Sequence, residues 1–363
     1  MSDTADDPQF IDPWAGLDGA FNFQIATSEA MGSPFTAEVM RIMLADARAG
    51  GPFAGLVQPW LGQDARALIE AAAPLRLLGG LNSLVLSGAD PALAAEFPAA
   101  KPQTDPAALR QRLVEAASAH ADVLARFRLS PPQTNEVRRS LCLIGGFLTV
   151  AGETGLPLRC LELGASAGLN MNWDRYRYDL GPLGAWGDPA SPVLIDGEWE
   201  GPSPPFAVQA RVAERAGCDQ APIDVADPEQ ALRLESFVWA DQPDRIARLR
   251  GAIDLARRFP PPIAAEDAGA WARRVVKPQA GVATVLYHSV VWSYLSAETR
   301  AEVEAAIRFA GEAASAEAPF AWLRMEPETG AAMSVRLTSW PGGTERGLAH
   351  VHPHGAKVLW LGA

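Results

Sequence analysis

The chain has 363 residues, of which 48% are hydrophobic, and its formal net charge is -12 at neutral pH. This length allows two domains, or one large α/β domain with an appendage. The acidic balance opposes a general affinity for nucleic acid or anionic membranes, because binding phosphates requires clustered lysine and arginine, and the three cysteines have no C-x-x-C spacing that would indicate a thiolate zinc site.

Residues 1–152 predict helices punctuated by proline and glycine, with no convincing strand. Ser33 and Pro34 match the preferences of a helix start, and Gly50 matches those of a helix end. We expect this region to form a helical lid or substrate domain. Further helices are predicted over 64–73, 74–86, 105–127 and 134–150.

The N-terminal segment MSDTADDPQF has no basic region followed by an apolar stretch, and therefore does not resemble a secretion signal. The apolar runs 75–86 and 141–151 are too short or too interrupted to span a bilayer. We therefore expect a cytoplasmic protein.

After Gly155 the pattern changes to strands separated by helices, which predicts a mainly parallel sheet with crossover connections. The region 153–363 should therefore form a Rossmann-like α/β domain, closed by antiparallel strands and carrying a hairpin insertion near 176–205. The predicted strands are 158–163, 206–214, 262–265, 283–288 and 320–326, followed by 333–340, 346–351 and 356–361.

The segment 158–172, LRCLELGASAGLNMN, combines an apolar strand, an acid and a turn of small residues before a predicted helix. Such a turn lets backbone amides approach a ligand closely. Counting from Glu162 and Gly164, the last glycine is Gly168, as in the E-x-G-x-G-x-G motif of class I methyltransferases; a dinucleotide fingerprint would require it at position 169. Ser166 replaces the middle glycine.

The same turn permits two other interpretations. It spells G-x-S-x-G, in which Ser166 would be the nucleophile of an α/β-hydrolase, although such an enzyme needs several strands before that point. Alternatively, the small residues only allow a helix to pack tightly on a strand.

In open α/β sheets the ligand lies outside the carboxyl ends of the strands. Resemblance to class I methyltransferases implies that Asp219, after the second strand, holds the ribose hydroxyls and that Asp267, after the third, meets the adenine amino group. Glu214 and Asp224 compete with Asp219, since the end of the second strand is uncertain. Each acid could instead be a solvated loop or helix-cap carboxylate.

Three of the five histidines are His350, His352 and His354, but Pro353 breaks their alternation, so we expect no metal site. Two reversals after the fifth strand would bring His352 and His354 back to the edge where His288 ends the fourth strand. A neutral imidazole there could accept a proton during catalysis. The alternative for each histidine is a structural role in the core or in a turn.

Polar residues also surround the glycine motif. The sequence QTNE at 133–136 offers more hydrogen-bonding side chains than a helix cap needs, so we expect Asn135 and Glu136 to face the cofactor or the substrate. Asn170, just after the glycines, should help to bind the cofactor.

Short motifs in a specific order extend over nearly the whole chain. They are GSPF at 32–35, PLRLLGGLNSLVLSG at 74–88, QTNE at 133–136, LGASAGLN at 163–170 followed by DRYRY, FVWADQ at 237–242, and WPGG and HPHG near the end. Together they resemble the bacterial domain of unknown function 2332 family, whose second half is similar to class I S-adenosylmethionine-dependent methyltransferases.

That resemblance implies S-adenosylmethionine as the cofactor and methyl transfer as the reaction. We expect a small molecule as the acceptor and, from the acidic balance, no nucleic-acid or membrane partner. An Asn/Asp-Pro-Pro-Tyr sequence is missing after the fourth strand, which argues against methylation of adenine or glutamine amino groups. The alternatives are a non-catalytic or regulatory protein that binds the adenosyl cofactor, and a hydrolase that uses Ser166.

Overall fold

The chain divides into two units in the structure, a computed structural model that describes residues 12–99, 101, 103, 105–328 and 333–362. The first unit runs to Thr134 and also contains Leu232–Ile246, and the second comprises Asn135–Ala231 and the chain from Ala247 onward. This division differs from the predicted boundary at 152, because the last helix before the sheet belongs to the second unit.

The first unit is helical in its described residues. Several helices begin with proline in their first turn, where the missing N–H is not needed. The predicted helix over 105–127 is divided at His120. The helices are α1 Ala15–Ala30, α2 Pro34–Arg48, α3 Pro52–Val57, α4 Ala65–Glu70, α5 Ala73–Leu86, α6 Pro91–Ala94, α7 Pro106–Ala119 and α8 Ala121–Leu129, with a 3₁₀ helix at Gln58–Trp60.

The segment 232–246 is held in the first unit by buried contacts. Asn82 Nδ2 donates to the carbonyls of Ser236 and Val238 at 2.9 and 3.1 Å. Trp239 is part of the buried apolar core. Asp241 accepts hydrogen bonds at the start of α2, including one from the backbone N–H of Phe35 at 3.0 Å. Residues of the FVWADQ and GSPF motifs therefore meet in space.

One stretch of the described chain, Ala65–Leu86, is long and apolar enough to cross a membrane by length and composition. Most of it is buried inside the protein, as in the core helix of a water-soluble protein, so it is weak support for a membrane span.

The second unit is built on a nine-stranded sheet. Its strands are β1 Leu158–Leu163, β5 Glu198–Glu200, β6 Val212–Asp219, β7 Ile263–Ala265, β8 Ala283–Ser289, β9 Phe320–Pro327, β10 Met333–Trp340, β11 Thr344–Val351 and β12 Lys357–Trp360. Three further strands, β2 Arg177–Asp179, β3 Ala185–Trp186 and β4 Leu194–Ile195, form a small separate sheet. The helices wholly within this unit are α9 Arg139–Thr154, α12 Ala268–Val275 and α13 Ala297–Ala313, with 3₁₀ helices at Leu169–Arg175, Gly181–Leu183 and Trp292–Tyr294. The helices α10 Pro228–Ser236 and α11 Pro243–Arg258 each have residues in both units.

The large sheet has the order β5-β12-β11-β10-β9-β8-β1-β6-β7. The strands from β7 to β9 are parallel, and β10, β11 and β12 follow as an antiparallel meander. The chain leaves β1 toward β6 and β7, and later adds β8 and β9 on the other side of β1. The strand order therefore reverses between β1 and β8, which is the position where open α/β sheets bind ligands.

Helices cover both faces of this sheet. Leu161 and Leu286 belong to an apolar cluster with residues of α12 and α13. Successive side chains of a strand point to opposite faces, so Tyr287 lies on the other face of the sheet. There its ring packs against that of Phe147 of α9, with 5.0 Å between the two ring centres.

The prediction of a helical N-terminal region followed by a large, mostly parallel sheet is confirmed. The second strand was misplaced: it runs over Val212–Asp219, and not over 206–214, because its half-exposed polar residues hid the strand pattern. The helix expected after Gly168 is a 3₁₀ helix. The insertion near 176–205 is more than a hairpin, since β5 pairs in parallel with β12 at the edge of the large sheet.

Candidate functional site

The turn of residues 164–168, called the glycine turn below, has three left-handed residues: Gly164, Ser166 and Gly168, with φ of +65°, +55° and +68°. A Cβ at position 164 would lie 2.4 Å from Val291 Cγ2, and one at position 168 would lie 2.5 Å from Pro261 Cγ. Both glycines are therefore required by the backbone conformation and by the close packing. A serine in this conformation costs about 1–2 kcal/mol, and such strain is often found at functional sites.

Ser166 donates its backbone N–H to Asp219 Oδ2 at 2.9 Å. Its hydroxyl oxygen is buried and has no hydrogen-bond partner within the described part of the chain. A hydrolase triad requires a base within hydrogen-bond reach of the nucleophile, and no described histidine takes that position. β1 is also the first strand of the described chain, whereas an α/β-hydrolase needs earlier ones. The unpartnered hydroxyl instead marks a place where a ligand could donate or accept a hydrogen bond.

Asp219 is the last residue of β6 and lies beside the glycine turn. Its second oxygen accepts from the N–H of Ala221 at 2.9 Å, so the carboxylate fastens two backbone segments. The two competing acids have other roles: Glu214 pairs with Arg159 at 3.0 Å, and Asp224 accepts from a backbone N–H in its own loop. Asp219 is therefore the acid of the three that lies at the turn.

Asp267 caps α12. Its Oδ1 accepts from the backbone N–H groups of Gly269 and Ala270 at 2.8 and 3.3 Å, and its Oδ2 accepts from Thr299 Oγ1 at 3.1 Å. Burial acts to raise the pKa of Asp267, but the hydrogen bonds from Ala270 and Gly269 outweigh it and lower that pKa. The structure thus gives Asp267 the helix-cap role, which was the alternative to adenine recognition.

Glu162 is only 3% exposed and stands opposite Tyr287 in the pairing of β1 with β8. The Tyr287 hydroxyl donates to Glu162 Oε2 at 3.0 Å. Burial raises the pKa of Glu162 to about 8; the Tyr287 hydrogen bond and Arg139 act in the opposite direction, and Asp219 raises it further. The raised pKa favours the protonated, neutral form of Glu162.

His288 is fully buried at the end of β8. Its Nδ1 lies 2.7 Å from Glu326 Oε1, and Trp322 Nε1 donates to its Nε2 at 3.1 Å, so both ring nitrogens are engaged. The same Glu326 oxygen accepts from the backbone N–H groups of Val291 and Trp292 at 3.0 and 3.2 Å. The predicted role of His288 as a general base is disfavoured, because the ring serves to hold the loop after β8.

The turn His352–Gly355 returns to the carboxyl edge of β8, as the count of strand reversals predicted. Arg139 links the two: its Nη1 donates to the carbonyl of Ser289 at 3.2 Å and its Nε donates to that of Pro353 at 3.1 Å. His352 Nδ1 accepts from the backbone N–H of His354 at 3.1 Å. Burial lowers the pKa of the half-buried His352, so this imidazole is neutral at neutral pH.

Polar residues around the start of α9 hold the glycine turn from the other side. Asn135 Oδ1 accepts from the N–H of Leu169 at 2.8 Å. Asn170 Nδ2 donates to the carbonyl of Glu136 at 3.2 Å, and its Oδ1 accepts from Ser140 Oγ at 2.9 Å. The sequence predicted that Asn135 and Asn170 face the cofactor; in the structure both brace the turn.

The sequence analysis missed four residues of this region: Arg139, Tyr287, Val290 and Glu326. Val290 has φ of +55°, which is strained for a β-branched residue, and it lies in the loop after β8, across the switch point from Ser166. The sequence carried one usable signal, since Tyr287 is a polar aromatic residue in the apolar strand ATVLYH, directly before His288.

A cavity of about 290 Å³ lies next to the glycine turn. This volume is at the lower end of the range for small-molecule sites. No group of three histidine, cysteine, aspartate or glutamate side chains converges as metal ligands among the residues that the structure describes. The cavity is lined mainly by apolar residues, with Asp224 and Arg257; among the apolar ones are Ala167, Ile223, Pro261 and Ile263.

A family model described as "uncharacterized protein conserved in bacteria (DUF2332)" matches residues 19–360. The chain belongs to this family. The expectation from the short motifs is therefore confirmed, and the match covers all of those motifs. The family description names no activity, and no curated protein or solved structure gives a significant match to this DUF2332 chain.

Proposed function

We propose that this DUF2332 protein binds S-adenosylmethionine at the carboxyl edge of β1 and β8, and transfers its methyl group to a small molecule. One observation carries the proposal: the strained glycine turn lies at the end of β1, where the strand order of the sheet reverses. The proposal includes a class I methyltransferase-like fold for the second unit, because the order β7-β6-β1-β8-β9 is that of a doubly wound sheet.

The residues present fit such a cofactor. The buried Ser166 hydroxyl has no partner in the described structure, and the left-handed glycines leave no room for side chains at the turn. Asp219 ends the neighbouring strand and keeps a second lone pair on each carboxylate oxygen for ribose hydroxyls. Two features depart from a typical site: a 3₁₀ helix follows the turn, and Asp267 caps α12.

Bound S-adenosylmethionine would supply an already activated methyl group, so the protein mainly has to align the acceptor with it. In this proposal Ser166 and Asp219 orient the cofactor, and the turn His352–Gly355 overhangs the mouth of the site. His288 has both ring nitrogens engaged and the neutral His352 uses Nδ1 as an acceptor. We therefore place the proton-accepting role on the turn His352–Gly355 rather than on His288.

A protein that binds the adenosyl cofactor without transferring methyl groups is the second candidate. It is favoured by the structural hydrogen bonds of Asp267 and His288, which occupy two of the groups expected to act on ligands. In either case we place the protein in the cytoplasm without a nucleic-acid partner, in keeping with its net charge of -12.

The test is a calorimetric titration with S-adenosylhomocysteine, with NAD as the control ligand. We expect one-to-one binding of the former at micromolar concentration and no binding of NAD. Asp219→Ala should weaken binding about tenfold or more, since a charge-assisted hydrogen bond is lost. Asp227→Asn, a change in the same loop after β6 at a residue that does not line the cavity, is the matched control and should bind normally.

Failure of wild-type protein to bind S-adenosylhomocysteine would refute the proposal. Ser166→Ala addresses the hydrolase alternative, because alanine is also small and should preserve cofactor binding, whereas it would abolish hydrolysis of an ester panel. Binding without any methyl transfer across a broad panel of acceptors would favour the non-catalytic candidate.

A further inference from the structure

Glu162 is a buried acid at the point where the proposed cofactor site begins. It is 3% exposed, lies two residues before Gly164, and accepts a hydrogen bond from Tyr287 of β8 on one oxygen. Asp219 at the other side of the turn has both oxygens engaged by backbone N–H groups. Of these two acids, Glu162 is the buried one, and its carboxyl group contacts a side chain rather than backbone N–H groups.

The charged and titratable groups around Glu162 come from four elements. Tyr287 faces it from β8, Asp219 from the end of β6, Arg139 from the start of α9, and Tyr176 from the chain after the 3₁₀ helix Leu169–Arg175. Burial keeps Tyr287 and Tyr176 protonated, because it raises the pKa of each well above its ordinary value. Arg139 favours the charged form of Glu162, and Asp219 opposes it.

The balance of these effects favours the neutral acid. Burial is the largest cause and raises the pKa of Glu162 to about 8. A positive charge placed nearby would favour the carboxylate instead, because an opposite charge within a few ångströms stabilises the ionised form. The charge on Glu162 can therefore depend on the charge of the ligand.

We infer that Glu162 supplies the counter-charge for the sulfonium of S-adenosylmethionine, and that it releases its proton to solvent when this cofactor binds. The inference rests on the proposed function. A sulfonium has no N–H to donate, so a nearby negative charge stabilises it more than a hydrogen-bond acceptor does. The Tyr287 hydroxyl holds one oxygen of Glu162 in place, which leaves the other oxygen for the sulfonium. The thioether of S-adenosylhomocysteine is uncharged, so Glu162 keeps its proton when that ligand binds, and regains it after methyl transfer.

The experiment compares the two ligands by calorimetry at pH 7 in phosphate and in Tris, whose ionisation enthalpies differ. We expect close to one proton released for each S-adenosylmethionine bound and close to none for S-adenosylhomocysteine. The affinity for S-adenosylmethionine should rise roughly tenfold per pH unit below neutrality and level off above about pH 8, while that for S-adenosylhomocysteine stays flat.

Glu162→Gln removes the ionisable group and keeps a side chain of similar shape that resembles the neutral acid. At pH 8 it should bind S-adenosylhomocysteine within about threefold of wild type, bind S-adenosylmethionine about tenfold or more weakly, and release no proton. Glu266→Gln is the matched control, because this acid follows β7 and pairs with Arg274. Its replacement should change the affinity for neither ligand.

The outcomes separate the two proposals. Binding of both ligands without proton release, or an equal loss of both affinities in Glu162→Gln, would overturn the role of Glu162 and leave the proposed function standing. Proton release that persists in Glu162→Gln would assign the proton to another group. Failure of wild-type protein to bind either ligand would overturn the proposed function and this inference with it. The wild-type proton count decides the matter even if the variant does not fold.

Discussion

Replacing Gly164 by alanine measures how tightly the glycine turn is packed, and Gly155 provides a matched control. The two glycines have nearly the same φ, +65° and +66°. A Cβ on Gly164 would lie 2.4 Å from Val291 Cγ2, whereas a Cβ on Gly155, at the end of α9, meets nothing within 4 Å. The pair therefore separates backbone strain from crowding.

For Gly155→Ala we expect a loss of about 1 kcal/mol in the free energy of unfolding, from placing a side chain in the left-handed region. Gly164→Ala carries that cost and also crowds Val291, which adds about 1–3 kcal/mol. Its total loss should therefore be about 2–4 kcal/mol. Urea unfolding followed by circular dichroism and by tryptophan fluorescence gives both values. The dependence of the unfolding free energy on urea concentration should have the same slope as in wild type.

Equal losses in the two variants would refute the close contact between the glycine turn and the loop after β8. If neither variant lost stability, the left-handed conformation itself would be wrong. A loss confined to Gly164→Ala would mean that crowding dominates and that the backbone tolerates alanine at both positions.

Three further predictions concern the same region. His288→Phe keeps an aromatic ring but leaves Trp322 Nε1 without a buried acceptor and removes one of the three hydrogen bonds to Glu326 Oε1, so we expect a loss of about 2–4 kcal/mol in urea unfolding; unchanged stability would restore His288 as a candidate base. The pKa of Glu162 is raised from 4.5 to about 8 on folding, so wild type should lose stability as pH rises across that interval, by on the order of 5 kcal/mol relative to Glu162→Gln, and parallel pH profiles would contradict this. Asp219→Ala frees two backbone N–H groups and should cost about 2 kcal/mol in thermal unfolding; a normal melting temperature would exclude its bracing role.

The strands that the sequence predicted well are those whose burial is continuous. The segment ATVLYH reads as an apolar, β-branched run and became β8, and β10 has the predicted bounds. β6 was misplaced because VAERAGCD mixes charged and small residues, and its position depends on pairing with β1 and β7. The pairing of β5 with β12 was not predictable, since the two lie far apart in the chain and β5 has only three residues.

The positions of the candidate site residues were more predictable than their roles. Strand ends share one edge of a parallel sheet, so His288 could be placed at that edge from the strand pattern alone. Asp219 could not, because the misplaced second strand left Glu214 and Asp224 as competing acids. What His288 does depends on Glu326 and Trp322, which lie on a different strand. Likewise, only the start of α12 shows that Asp267 is a cap.

The first unit is built from two segments that are separated in the chain, and this affects how the protein can fold during synthesis. Its core includes Trp239, and Asn82 depends on carbonyls of the segment 232–246 for its hydrogen bonds. At the usual rates of translation, roughly 6 to 20 s separate the synthesis of residue 134 from that of residue 246. During this interval the nascent helices expose apolar surface and need protection from aggregation. A recombinant fragment of the first unit therefore has to carry both segments, joined by a linker in place of 135–231.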